Sequence, residues 1–300
     1  MSLSIDDHPT ATAAQAEMDL SPVVAALDVG SNSFHMVIAK RVGNDFQILE
    51  RPKQQVQLAA GLDADSNLNE AAFQRAYQCL DEFAAYLEGV APENIKAVAT
   101  HTLRIADNAD EFLKGALAHF PAPIRVISGL EEARLIYQGV VHISDIHRQV
   151  LVVDIGGGST EFAIGKEMVE KQVHSAPIGC VNLTKRYFAD GKLSLRRFGD
   201  IEREVARELE AFRDEYLKTG WELCLGSSGS IKSIMQILKE DGFQKRSITL
   251  EHLLNLKERI LGFQTLTDVS LPGLQENRTE ILPAAIAMLI AIFKSLKKEI

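Results

Sequence analysis

Cysteine is scarce in this 300-residue chain: Cys79, Cys180 and Cys224 are its only three, and no two form a Cys-x-x-Cys pair. That excludes a zinc ribbon or a dithiol redox motif. An odd, sparse count fits a reducing compartment and predicts a cytoplasmic protein. The apolar run near the end, Ile281 to Phe293, is too short to span a bilayer and contains Pro283. Its apolar residues, with Leu296, recur at helical spacing and predict a core-facing terminal helix. Residues 1–22 carry neither a basic n-region nor an apolar targeting stretch and are expected to form a disordered tail, not a signal peptide. Positive charge is also short: 32 Lys and Arg against 41 Asp and Glu, a net charge of −9. No broad basic face can serve nucleic acid or an anionic membrane, so a polyanionic substrate would need cations concentrated locally. The Walker A spacing is absent, and His35, His101 and His142 lack ligand-like spacing and read as structural.

What the chain does have is one pattern written twice. Ala26-Leu27-Asp28-Val29-Gly30-Ser31-Asn32-Ser33 and Val152-Val153-Asp154-Ile155-Gly156-Gly157-Gly158-Ser159-Thr160 are each an apolar strand ending in Asp, then glycine with small polar residues, then a second apolar strand. Gly30 lets backbone approach a ligand closely, and Ser31, Asn32 and Ser33 supply donors for phosphate oxygens. Alone, that segment is equally a tight hairpin. Three successive glycines at 156–158 exceed what a hairpin needs and suit a backbone wrapped around an anion. Asp154 can then hold Mg²⁺ against phosphate oxygens, while Asp28 aims its carboxylate at whatever sits above its turn.

Around the repeat, strands alternate with helices, which predicts an α/β chain. Strands are expected at 46–49, 95–99, 124–127, 150–154, 161–164, 169–175 and 221–225. Helices are expected from the Asn69 cap to Gly89, through Phe112 to Phe120, over 131–142, over a long charged stretch 194–218, and from Thr249 and Pro283. Boundaries fall at 1–22, a first lobe 23–135 and a second lobe 136–300, with the terminal helix free to pack back on the first lobe.

Further candidates lie between the repeats. Ser128 and Glu131 have capping-box spacing, which gives Glu131 a structural role. Glu132 points about 100° away around the helix and takes the chemical role, as general base or water-positioner. Arg104 follows a buried strand and could grip phosphate bidentately. The loop holding Ser228 and Gly229 opens a helix and reads equally as an anion site or a cap. Arg278 is a weaker candidate for remote substrate charge.

Together these strings resemble the exopolyphosphatase/guanosine pentaphosphate phosphohydrolase (Ppx/GppA) family. Leu27 to Val37, Thr100 to Arg104, Ile127 to Leu135, Val153 to Glu161, Gly179-Cys180-Val181, Gly226 to Ser230 and Leu271 to Leu274 carry the resemblance in family order, from Val23 to Phe293. It implies two ribonuclease-H-like lobes of the actin-like ATPase superfamily around a cleft. It also implies Glu132 as the catalytic glutamate and Asp28 and Asp154 as metal-associated carboxylates. Gly30, Asn32, Ser33, Arg104, Gly156, Gly157 and Ser159 become phosphate-binding positions; Ser31 and Gly158 join them through the loops they sit in. Arg278, and more loosely Ser228 and Gly229, lie where substrate would reach. Mg²⁺, or Mn²⁺ in its place, is the expected cofactor; polyphosphate or guanosine penta- or tetraphosphate is the expected ligand, and a homodimer is compatible. Long members continue into a C-terminal helical region with an HD-like domain, whereas the match here is to the two-lobed core. Two rival readings remain: an ATP-using kinase or ATPase of the same fold, and a non-catalytic alarmone sensor.

Overall fold

A computed structural model of the chain describes residues 22–296 apart from 44, 145 and 246. The expected tail over 1–22 therefore lies outside the described residues, save Pro22, whose carbonyl accepts from the Arg41 amide.

The chain opens with β1 (Val23–Val29), β2 (Ser33–Val42), β3 (Asp45–Glu50) and β4 (Lys53–Gln55). Helix α1 (Glu70–Ala84) follows, then β5 (Ile95–Ala99), α2 (His101–Ile105), α3 (Ala109–Ala116) and β6 (Ile124–Val126). These strands make one sheet in the order β3-β2-β1-β5-β6, with β4 also paired to β2. β1 runs antiparallel to β2 and parallel to β5. Asn69 caps α1 by accepting from the Ala72 amide at 2.9 Å, and Phe73, Ala76, Leu80 and Phe83 bury its apolar stripe in the first core.

Helix α4 (Gly129–Ser144) crosses from the first sheet to the second. Its Tyr137 is fully buried beside Val150, Val152 and Ala163 of the second sheet, with its hydroxyl donating to the Glu167 carbonyl at 3.0 Å. That sheet comprises β7 (Gln149–Ile155), β8 (Thr160–Lys166), β9 (Val169–Ala176) and, after α5 (Cys180–Tyr187), α6 (Leu195–Glu210) and α7 (Arg213–Thr219), β10 (Leu223–Ser227). Its order is β10-β7-β8-β9. The chain ends with α8 (Gly229–Glu240), α9 (Leu250–Leu261) and α10 (Leu282–Leu296).

The two sheets repeat one plan: three consecutive antiparallel strands, the first of which pairs on its other side with a later parallel strand. The α/β chain thus has two ribonuclease-H-like lobes, as the family resemblance implied.

Two expectations need correction. The long helix expected over 194–218 is two helices, because Phe212 turns inward between them and stacks on His174 at 3.9 Å, with Phe162 at 5.1 Å. Its charge pattern records the solvated face and gives no sign of that break. The short helix α5 was not foreseen. Helix α10 does not pack back on the first lobe; apolar nearly all round, it is enclosed within the second lobe's core.

Candidate active site

The two Asp-Gly hairpins face each other across a cleft of about 450 Å³. Their local geometry is shared. A Cβ on Gly30 would fall 2.8 Å from the Ser33 carbonyl oxygen, and one on Gly156 would fall 2.8 Å from that of Ser159. Each hairpin is also satisfied from behind. The carbonyls of Ser31 and Asn32 accept from Val56, Gln57 and Ala59, and those of Gly156 and Gly157 accept from Cys180, Val181 and Asn182 at the start of α5. A trans peptide points its N–H away from its C=O. The amides of Asn32, Gly157 and Gly158 therefore point away from those acceptors, on loops that line the cleft.

The lobes touch through these loops. A Cβ on Gly157 would meet Ser31 at 3.1 Å, and one on Gly158 would strike His101 at 2.1 Å. Lys185 donates to the Ala59 carbonyl at 2.5 Å and Gln55 to the Asn277 carbonyl at 3.4 Å, tying the lobes elsewhere.

Strand register places the acidic groups. Asp28 and Asp154 occupy matching places, each before its loop, paired with His35 and Glu161 on the adjoining strand. Asp28 is open to water through the cleft, yet protein surrounds it on its other sides. That burial, reinforced by the charges of Glu132 and Asp154, pushes its carboxyl up to about 7. Burial also raises Asp154, partly offset by a Ser227 hydrogen bond and the charge of Lys232.

Glu132 sits in the first turn of α4. Its pKa is raised, chiefly by burial; Arg104 opposes the rise, and Asp154 adds to it. Arg104 Nη1 donates to Glu132 Oε2 at 3.0 Å and to the Ile127 carbonyl at 2.8 Å. The guanidinium is thus directed at Glu132. Ser128 caps the helix by accepting from the Glu131 amide at 3.1 Å, while the Glu131 carboxylate turns to Arg125 in a two-point pair at 2.9 and 2.6 Å. The helix start therefore gives its two glutamates opposite fates, one outward to Arg125 and one into the cleft.

Ser228 is a cap: its hydroxyl accepts from the Ile231 amide at 3.3 Å, and its φ of 101° is a strained value for a non-glycine residue. Its loop lines the cleft as well. Arg278 is buried against Gly229, where a Cβ would fall 2.4 Å from the guanidinium.

Sequence reading missed several groups. Glu161 is buried; Ser175 donates to its Oε1 at 2.8 Å, and its Oε2 has no hydrogen-bond partner. Its pKa stands well above the usual carboxylate range, from burial and then the charges of Glu132 and Asp154. Lys53, Lys232, His35 and His101 also line the cleft. Burial lowers both histidines to about 4, so they are neutral at physiological pH. The register partner of each Asp was the one available signal, and it marks His35 and Glu161.

The donors around Asp28, Asp154 and Glu161 are oxygens, which suits a hard divalent cation. Among the described residues no three acidic, histidine or cysteine side chains converge on a common point. Mg²⁺ needs only one or two carboxylates and takes its other ligands from phosphate and water. The unpartnered Glu161 oxygen is the observation that supports such a cation.

A match to the Ppx/GppA phosphatase family spans residues 37–300. The structure is similar to an exopolyphosphatase from Cytophaga hutchinsonii, with TM-score 0.83 and 21% identity over 92% of each chain. It is also similar to the Aquifex aeolicus Ppx/GppA family member, with TM-score 0.74 and 23% identity over 93% of this chain and 92% of that one. These likenesses concern the fold. Among the described residues no helix is long and apolar enough to cross a membrane.

Proposed function

This chain belongs to the Ppx/GppA phosphatase family, and from that premise we propose that it is a Mg²⁺-dependent phosphohydrolase releasing terminal phosphate from inorganic polyphosphate or guanosine pentaphosphate, with Glu132 as general base. The observation that carries this reading is Glu132 itself: a desolvated carboxylate oriented by Arg104 and facing a cleft walled by two Asp-Gly loops. A clamp of two loops alone would suit any phosphate binder of this fold; a poised base is what hydrolysis adds.

Phosphoryl transfer needs positioning and charge stabilisation more than covalent chemistry. The Asn32, Gly157 and Gly158 amides, with the side chains of Ser31, Ser33 and Ser159, supply fixed dipoles for the terminal phosphate's oxygens. Asp28 and Asp154, with Glu161 behind them, would hold Mg²⁺, which when bound neutralises phosphate charge. Glu132 takes a proton from the attacking water, a contribution of about 10²–10⁴-fold. Arg104 keeps the carboxylate aimed and opposes the rise in its pKa that burial causes. His101, neutral and against Gly158, fixes the second loop's distance from the first lobe.

The test is orthophosphate release from tripolyphosphate, long polyphosphate, guanosine pentaphosphate and ATP, each with and without Mg²⁺. Glu132→Gln should lower turnover by about 100-fold or more while leaving the fold intact. Near-wild-type release by Glu132→Gln, or turnover of ATP alone, would overturn the reading.

A further inference from the structure

Each Asp-Gly loop is held from behind by a different piece of chain, and one side chain joins the two pieces. Behind the first loop lies the segment 56–59. The Val56 and Gln57 amides donate to the Asn32 carbonyl at 3.1 and 2.9 Å, and the Ala59 amide donates to that of Ser31 at 2.9 Å. The Ser31 carbonyl shares its peptide with the Asn32 amide, so Ala59 sets the direction in which that amide points.

The segment is stiff. Gln57 stands in the left-handed region at φ 53°, a conformation that a non-glycine residue keeps only where its surroundings impose it. Arg75 of α1 imposes it. Its Nε donates to the Val56 carbonyl at 2.9 Å, its Nη2 to that of Gln57 at 3.2 Å and its Nη1 to that of Ala71 at 3.0 Å. One guanidinium thus fastens the segment to α1.

Behind the second loop lies the start of α5, whose Cys180, Val181 and Asn182 amides hold the Gly156 and Gly157 carbonyls. Just before it, Gly179 is packed so tightly on the loop that a Cβ there would fall 2.3 Å from the Gly157 carbonyl. A shift of α5 therefore carries the second loop with it.

Lys185, in the last turn of α5, crosses to the first lobe, where its Nζ donates to the Ala59 carbonyl at 2.5 Å. It links the residue that orients the Asn32 amide to the helix that orients the Gly157 and Gly158 amides. Lys185 lies outside the cleft lining, so it can act on the cleft only through Ala59 and α5.

We propose that Lys185 is a positioning residue, setting the spacing and mutual aim of the two loops around the transferred phosphoryl group. The proposal rests on the phosphohydrolase reading and deepens it. Both loops hold the group whose charge changes in the transition state, so losing their alignment falls on kcat.

The test compares wild type, Lys185→Met and Lys185→Arg in the full chain, by hydrolysis of tripolyphosphate and guanosine pentaphosphate with Mg²⁺, and by amide hydrogen exchange without substrate. Lys185 is solvent-exposed, so its substitution leaves the core untouched. Lys185→Met keeps an unbranched apolar stem and loses the donor. It should lower kcat about tenfold, the value of one charge-assisted hydrogen bond, and leave KM within about twofold. Exchange over residues 56–61 should quicken about tenfold, while the α6 amides exchange as in wild type. Lys185→Arg, which can still donate to the Ala59 carbonyl, should restore most of both losses. An unchanged kcat or unchanged exchange in Lys185→Met would overturn the proposal, as would a loss carried by KM alone or one that Lys185→Arg does not relieve. If wild type releases phosphate from neither substrate, the phosphohydrolase reading fails. Faster exchange over 56–61 in Lys185→Met, recovered in Lys185→Arg, would then still support the Lys185 link, and equal exchange would sink it.

Discussion

Asp28→Asn should make the protein more stable at alkaline pH, and the gain should vanish in acid. In the folded chain the Asp28 carboxyl stands at about 7 instead of 3.8, so the folded state holds that proton more tightly than the unfolded state. The stability this contributes is present in full below about pH 4 and is lost as pH rises through about 7. At most the ionised form costs about 4 kcal/mol. Because the cleft admits water to the side chain, roughly half, about 2 kcal/mol, is the expected cost. Asparagine has nearly the same shape and cannot ionise. Thermal unfolding in EDTA should therefore give equal midpoints for wild type and Asp28→Asn near pH 4. At about pH 8 the variant should melt roughly 4–8 °C higher. Mg²⁺ should narrow that gap, since a cation held by the folded state offsets the charge. Phosphate release should fall in the same variant, because the strain belongs to the site's function. A gap independent of pH, or a variant less stable at pH 8, would refute the reasoning.

Other substitutions probe neighbouring parts. Arg104→Gln removes the charge that opposes the rise in the Glu132 pKa, so the acid limb of the kcat/KM profile should move to higher pH; an unmoved limb would break the assigned pairing. Gly158→Ala places a Cβ 2.1 Å from the His101 ring and should cost about 1–3 kcal/mol in urea unfolding, with partial recovery in the double variant with His101→Ala. Glu202 accepts from Lys257 at 2.6 Å and Lys294 at 2.7 Å, binding α6 to α9 and α10, and these partners hold its carboxyl below the usual range. Its contribution, about 1 kcal/mol, is present above the ordinary carboxylate pKa of 4.5 and lost as pH falls through the lower folded value. Glu202→Gln should therefore weaken the fold at pH 7 and make little difference in strong acid.

The parts of this site that were legible in the sequence are those written contiguously. A strand ending in Asp, a run of glycines and a Ser-x-x-Glu start each carry their geometry within a few residues, so Asp28, Asp154, both loops and Glu132 could be named from composition and spacing. Helix starts were legible for the same reason, at Asn69, Ser194 and Thr249. Lys53, Lys232 and His35 line the cleft, and Glu161 lies buried behind it, for a different reason: cross-strand register and the packing of two lobes, which no short window contains. Glu161 alternates with apolar neighbours as any strand residue would, and only its pairing opposite Asp154 turns it toward the acidic cluster. Lys53 lies between Pro52 and two glutamines and looks like an exposed loop charge until β4 is laid beside β2. The same division separates what the fold supplies from what gives the site its polarity. On the proposed function, the duplicated hairpin is what would hold the terminal phosphate. The groups gathered by register give the cleft an acidic side around Asp154 and a basic side around Lys53.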